Sequence, residues 1–258
     1  MSRELQDKKC IVTGGGTGIG RAIAVALASR GAAVAVTGRR KEKLDETVAL
    51  VGEHGGEGLA ESLDVRDRTA VDRVFGALAE RLGGLDVLVN NAGLGGPNGC
   101  VDDGPDRWDE IVRTNLDGTF FCTRAAVPHM GEGGRIVNVP SVLGRFGVPG
   151  YTAYCASKAG VIGFTRALAL EVAPKGMTAN AIVPGWVETQ MARDGLELMA
   201  EGMGTTYEKA RAEAMGAVPV GRIIEPDEIA GLVCYLVGPG TGALTGQAIA
   251  LCGGATMV

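Results

Sequence analysis

Histidine is scarce in this chain. Its 258 residues hold two, His54 in the glycine-rich EHGGEG and His129 behind Pro128 near a helix end. Neither sits where a Ser-His-Asp hydrolase or a histidine-bound zinc would need it. The six cysteines, Cys10, Cys100, Cys122, Cys155, Cys234 and Cys252, are dispersed, and none belongs to a CxxC pair. That spacing reads as small core residues in a reducing compartment, with no metal site. Long apolar runs are missing as well: none reaches the roughly 18 residues of a spanning helix, and MSRELQDKKC has no apolar signal core. A soluble, cytoplasmic protein with no membrane partner is expected. Positive charge is in deficit, with 25 Lys and Arg against 30 Asp and Glu for a net −5. No nucleic-acid partner is expected of that balance, because such a surface must neutralise phosphates.

What the chain has is 46% hydrophobic residues in a regular alternation. Short apolar runs (KKCIVTG, AAVAVTG, GLAESLDV, LDVLVNNAG, GRIVNVPSV, MTANAIVPG, GQAIALCGG) alternate with segments of helical spacing. No repeat or linker interrupts them. Such an order predicts one α/β domain over 1–258: a doubly wound parallel sheet of about seven strands with helices on both faces. Strand five is expected to run to Ser141, and DRWDEIVRTNLDGTFFCTRAAVPHM to form one long helix. Ligands of such sheets bind beyond the carboxyl ends of the strands.

After strand one comes TGGGTGIG. It is not an ATP-type loop, because Arg21 stands where lysine is needed. Gly14 permits the tight turn, Gly18 lets backbone N–H groups approach a pyrophosphate, and Gly20 lets the helix pack on the sheet. Gly15 and Gly16 keep the turn loose and narrow. A glycine turn without a ligand is the plainer alternative. Where an NAD site carries an acid about 20 residues on, this chain has Gly38, then Arg39 and Arg40. Guanidinium forks grip a 2′-phosphate, so NADP(H) is preferred, with NAD(H) as the alternative. The same arginines could simply open a solvated helix.

Past Ser141 lies YCASK, with Tyr154 and Lys158 four residues apart on one helix face. The cation is expected to lower the phenol's pKa, and a phenol so tuned exchanges a proton with a carbonyl oxygen or an alcohol. Ser141 would supply a second hydrogen bond to that oxygen. Tyr151 has no such neighbour, since Cys155 follows it at the same spacing.

The ordered set TGGGTGIG, NNAG, Asn115 of NLDG, Ser141, YCASK and Pro184-Gly185 resembles the short-chain dehydrogenase/reductase family. The resemblance runs from Lys8 to the last strand and implies a single Rossmann domain. It implies that Tyr154 is the catalytic acid/base, that Lys158 tunes it and binds the nicotinamide ribose, and that Ser141 positions the substrate oxygen. Asn115 would hold a water linking the lysine to solvent. Gly14, Thr17, Gly18, Ile19 and Gly20 would cradle the pyrophosphate, and Asp64 and Val65 would contact adenine. Asn91, Ala92 and Gly93 would lie at the ribose, and Pro184, Gly185, Val187 and Thr189 around the nicotinamide. A homotetramer built on the long helices after strands four and five is also implied. Two departures stand out: Pro140 before Ser141, and Thr17 where NADP-dependent members often carry a basic residue.

The segment 186–220 corresponds to a substrate lid. Its Met191, Met199, Met203 and Met215 suit a sizeable apolar ligand or ordinary helix packing alike. Leu94, Leu143, Phe146, Val148, Trp186 and Met191 would line the pocket. The C-terminal half is similar to ketoreductases of bacterial aromatic polyketide synthesis and, more broadly, to 3-oxoacyl-thioester reductases. The expected reaction is NADPH-dependent reduction of a ketone, free or carried as an acyl thioester, to a secondary alcohol. The alternative is NAD(P)-dependent oxidation of a hydroxy acid, sterol or cyclic alcohol. A cofactor-sensing binding protein would instead show a broken Ser-Tyr-Lys set. Arg145 and Arg193 are the candidates for contact with an acyl carrier.

Overall fold

The computed structural model describes residues 3–101 and 104–257. Within them, seven strands form one sheet in the order β3-β2-β1-β4-β5-β6-β7. They are β1 Lys9–Thr13, β2 Ala33–Gly38, β3 Gly58–Ser62, β4 Leu85–Asn90, β5 Met130–Asn138, β6 Thr178–Pro184 and β7 Ala248–Leu251. Every pairing is parallel. The strand order reverses beside β1, which opens a crevice between the carboxyl ends of β1 and β4.

Helices cover both faces because the central strands are apolar on both sides. On one face Ile23 and Leu27 of α1 (Gly18–Ala28) pack with Ile229 and Val233 of α9 (Pro226–Val237). On the other, Phe75 and Leu78 of α3 (Arg68–Leu82) meet Cys122 of α5 (Gly118–Ala126) and Leu168 of α6 (Thr152–Val172). Phe75 is fully buried, and truncating such a ring to alanine costs about 3–5 kcal/mol. Local signals set the helix ends: the Asp67 carboxylate accepts from the Ala70 amide at 3.0 Å, and Gly83 closes α3 at φ 72°.

Two expectations are corrected. The long helix after β4 is two helices, α4 (Trp108–Val112) and α5, joined by a π-helical turn over Arg113–Asp117. That turn holds Asn115, and single π turns within helices are frequent at functional sites. Strand five stops at Asn138, short of Ser141. The Val139 amide still donates to the Asn90 carbonyl at 2.9 Å, but Pro140 has no N–H to continue the ladder. Ser141 instead caps a short 3₁₀ turn, its hydroxyl accepting from the Leu143 amide at 3.2 Å.

Residues 186–220 carry α7 (Gln190–Met203) and α8 (Tyr207–Gly216), which enclose a small core of their own. Met199 and Met215 pack into it, whereas Met191 and Met203 are 46% and 43% exposed. The four methionines are thus divided between packing and a free surface. No helix among the described residues is long and apolar enough to cross a membrane.

Candidate active site

The glycine turn is tied to the loop after β4. Gly14 and Gly18 take left-handed conformations, at φ 64° and 52°. A Cβ on Gly20 would fall 2.2 Å from the Gly14 carbonyl oxygen, so no side chain fits there. The Asn91 amide group donates to the carbonyls of Thr13 and Gly14, both at 3.1 Å. The backbone amides of Asn91 and Ala92 donate to the Thr13 hydroxyl at the same distance. Ile19 packs against the core beneath, while Thr17 is exposed at the start of α1. Gly15 differs from expectation: it is buried, and a Cβ there would lie 2.7 Å from the Val36 side chain. It is a packing glycine against β2, not slack in the turn.

Arg39 and Arg40 are exposed at the end of β2, and the Arg40 guanidinium reaches the Thr17 hydroxyl at 3.4 Å. A Cβ on Gly38 would meet nothing nearer than 3.5 Å, so no clash keeps an acid out of that position; the chain simply carries none. Asp64 is gripped by Arg66 through contacts of 3.0 and 2.6 Å. Those bonds, with the more distant charge of Arg39, hold its carboxyl below the usual range. Val65 is buried against Gly118. Glycines that admit no side chain, a helix N-terminus and two exposed guanidinium groups at the β2 edge form a donor set that fits a dinucleotide with a 2′-phosphate.

The chemistry-bearing side chains converge beyond β4 and β5. Tyr154 and Lys158 share a face of α6, with the Lys158 ammonium over the Tyr154 ring, 5.4 Å from its centroid. Lys158 is buried and donates to the Val139 carbonyl at 3.3 Å. The Ser141 hydroxyl lies near enough to the Tyr154 phenol to favour its ionised form. The expected direction of the tyrosine's shift is reversed: burial pushes the phenol up to about 12, with the Ser141 hydroxyl opposing. Burial also pushes Lys158 down to about 8. Desolvation disfavours the charged form of each.

Both amide hydrogens of Asn115 are taken, by the Leu94 carbonyl at 2.9 Å and the Ser157 hydroxyl at 3.0 Å. Its side-chain oxygen accepts from the Leu94 amide at 2.8 Å. Gly93 separates Asn115 from Lys158: a Cβ there would stand 3.2 Å from a polar atom of each.

Pro184 ends β6, and the Gly185 amide donates to the Leu251 carbonyl at 3.2 Å. Val187 is buried in a bridge with Ile224, and the Thr189 hydroxyl caps α7 at the Ala192 amide, 3.3 Å away. Thr189 also faces Gly18, whose Cβ would lie 3.0 Å from its methyl group. Residues 186–220 thus begin against the glycine turn.

Of the expected substrate residues, Met191 flanks Gly95 together with the Tyr154 ring. A Cβ on Gly95 would sit 3.3 Å from the Met191 sulfur and 3.8 Å from the Tyr154 ring. Leu94 and Leu143 are half-buried nearby, next to Asn115 and Ser141 in their hydrogen bonds. Phe146 and Val148 are exposed on the loop before α6, whereas Trp186 packs into the small core of α7 and α8. Arg145 donates to the Ala248 carbonyl and Arg193 pairs with Glu188 at 3.0 Å, so both candidate carrier contacts are engaged within the chain. Sequence reading missed Asn98 and Arg107. Buried Asn98 donates to the Thr152 hydroxyl at 3.2 Å and accepts from the Arg107 amide at 2.8 Å, and Arg107 donates to the Gly95 carbonyl at 3.2 Å. The glycine pair following NNAG was the available signal.

A parallel sheet with a dinucleotide turn, and a Ser-Tyr-Lys cluster at the same edge, define an oxidoreductase. Residues 14–256 match the family model described as enoyl-(acyl carrier protein) reductase. The chain is 41% identical over 248 residues to a putative ketoacyl reductase of Streptomyces coelicolor, covering 95% of each. It is 37% identical to the 3-oxoacyl-(acyl-carrier-protein) reductase FabG of Thermotoga maritima, covering 97% of this chain and 98% of the relative. A tryptophan-substituted actinorhodin polyketide ketoreductase, solved with NADPH, superposes with a TM-score of 0.92 at 40% identity, covering 99% of both chains. A short-chain dehydrogenase of Burkholderia cenocepacia in complex with NADP gives 0.87 at 35%, covering 98% of this chain and 99% of that one. The chain belongs to the short-chain dehydrogenase/reductase family and is an NAD(P)-dependent oxidoreductase acting between ketone and alcohol.

Proposed function

We propose that this enzyme uses NADPH to reduce a ketone on an acyl chain, a 3-oxoacyl thioester or a polyketide-like substrate, to the secondary alcohol. The carrying observation is the Ser141-Tyr154-Lys158 cluster lying beside the dinucleotide turn. Names of the relatives, a ketoacyl reductase and a 3-oxoacyl reductase, support the substrate class. Solved neighbours with NADPH or NADP, together with Arg39 and Arg40 at the β2 edge, support the cofactor.

When bound, NADPH supplies the hydride that reduces the carbonyl carbon. Ser141 and Tyr154 hydrogen-bond the carbonyl oxygen, and Tyr154 gives it the proton that completes the alcohol. A phenol pushed up to about 12 is in its protonated form at neutral pH, the form that donates in reduction. Lys158 holds the nicotinamide ribose and, with Asn115, serves the return of a proton to Tyr154. The turn residues Gly14 to Gly20 hold the pyrophosphate. Asp64 and Val65 flank adenine, and Asn91 to Gly93 flank its ribose. Pro184, Gly185, Val187 and Thr189 surround the nicotinamide. Residues 186–220 act as the lid, with Met191 opposite Gly95, and Leu94, Leu143, Phe146, Val148 and Trp186 complete the pocket wall.

The reading includes a homotetramer and a cytoplasmic location. Phe120 on α5 and Leu170 on α6 are 43% and 77% exposed, and Phe120 meets Phe164 edge-on at 6.3 Å. That apolar face suits a second copy, and a monomer in light scattering would contradict it. Six free thiols suit a reducing compartment. The function itself is tested by a panel of short 3-oxoacyl thioesters, bicyclic ketones and steroids with NADPH. Turnover of the thioesters or bicyclic ketones is expected; activity confined to oxidation of alcohols rejects the assignment.

A further inference from the structure

We propose that Arg21 is the positioning residue of the dinucleotide turn: its guanidinium pins the turn's carbonyls away from the ligand and locks the turn to α2 (Lys41–Glu53). In the sequence Arg21 only disqualifies an ATP-type loop. In the fold it leaves the first turn of α1 and doubles back. Its Nε and Nη2 both donate to the Gly16 carbonyl, at 3.0 and 2.6 Å. The same two nitrogens reach α2, at the Thr47 hydroxyl (3.2 Å), the Lys43 carbonyl (3.5 Å) and the Glu46 carboxylate (2.8 Å). Thr47 is fully buried, and its single hydroxyl hydrogen is shared between the Gly15 carbonyl at 3.0 Å and the Lys43 carbonyl at 3.1 Å.

Two consecutive carbonyls of the turn are therefore held from behind by one arginine and one threonine. An anion is bound by N–H groups and repelled by carbonyl oxygens. The Gly15 amide is tied to the Thr37 carbonyl at 3.1 Å, but glycine spacing alone does not orient the peptide units that follow Gly15 and Gly16, so it does not fix which of their groups face the phosphate. The Arg21–Thr47 bracket fixes it. Because α2 begins directly after Arg39 and Arg40, the bracket also sets the distance between the pyrophosphate turn and the 2′-phosphate edge. Lysine in place of Arg21 would supply the charge without the planar fork.

This inference rests on the turn being the NADP(H) pyrophosphate site. Its test compares the parent with Arg21→Met and Arg21→Lys by fluorescence titration of NADPH and NADH, and by amide hydrogen exchange over residues 14–20 without nucleotide. Arg21→Met is expected to weaken both nucleotides by about tenfold or more, the scale of lost charged hydrogen bonds. It should speed exchange in the turn and leave kcat at saturating NADPH near the parent's, with Arg21→Lys intermediate. Parent-like affinity and exchange in Arg21→Met overturn the proposal, as does a fall in kcat with affinity unchanged. If Arg21→Met does not fold, Thr47→Val removes the donor to Gly15 and is read the same way: weaker binding with faster exchange supports the bracket, and parent values reject it. A parent that binds neither nucleotide rejects the cofactor reading itself, and the bracket with it.

Discussion

The Lys158 ammonium lies over the Tyr154 ring, 5.4 Å from its centroid, yet burial holds the phenol protonated with its pKa up to about 12. In the proposed reaction that protonated phenol is the proton donor. Replacing Tyr154 with Phe keeps the ring in place and deletes only the hydroxyl that Ser141 contacts. Turnover of ketone by Tyr154→Phe should fall at least a hundredfold, the usual scale of general-acid catalysis. NADPH affinity should stay close to the parent's. A variant that retains most of its turnover would move the acid elsewhere.

Cofactor choice is expected to hang on the β2 edge. Arg39 is exposed and free of steric crowding at Gly38. In Arg39→Asp a carboxylate repels the 2′-phosphate and can accept from a 2′-hydroxyl. The ratio of kcat/KM for NADPH over NADH should drop by tenfold or more, about 1.4 kcal/mol. An unchanged ratio would leave the 2′-phosphate to Arg40, which already reaches the turn at Thr17.

The parts legible in the sequence are those that local chemistry dictates. A left-handed Gly18 and a Gly20 with no room for a Cβ force glycine at fixed spacing. The helix period places Tyr154 above Lys158. The strand alternation yields the parallel sheet. What escaped depends on contacts distant in sequence. Asn98 works through Thr152, and Arg21 through Thr47 on a different helix. The π turn at Asn115 is a shift in backbone hydrogen bonding that leaves no trace in side-chain periodicity. The direction of the Tyr154 shift followed from how deeply α6 is packed, which the YCASK spacing does not encode.

Asn98 ties the loop after β4 to the start of α6. In Asn98→Ala the bonds to Thr152 and to the Arg107 amide are lost, at about 0.5–1.5 kcal/mol each for part-buried hydrogen bonds. The loop carrying Gly95 then loosens opposite Met191. We expect KM for the ketone to rise severalfold while NADPH binding, assigned mainly to the Gly14–Gly20 turn and the β2 edge, changes less. Steady-state kinetics beside a nucleotide titration separates the two. Equal loss of both would mean that Asn98 supports the whole edge of the sheet.

Lys158 offers a test through stability. Its pKa is pushed down to about 8 by burial, from a model-peptide value near 10.4. Between those values the unfolded chain binds more protons than the folded one, so this residue's contribution makes the fold more stable as pH rises from about 8 to 10.4. Below pH 8 the ammonium is charged in both states, and its full desolvation cost falls on the fold. Lys158→Met fills similar space without charge. Without nucleotide, it should melt above the parent at pH 7, by about 2–4 °C for each kcal/mol recovered in a chain of this size. The gap should narrow steadily between pH 8 and 10. Differential scanning calorimetry across that range decides the point. A gap independent of pH would show that Lys158 keeps its charge through a partner, and the phenolate of Tyr154 would be the group to examine.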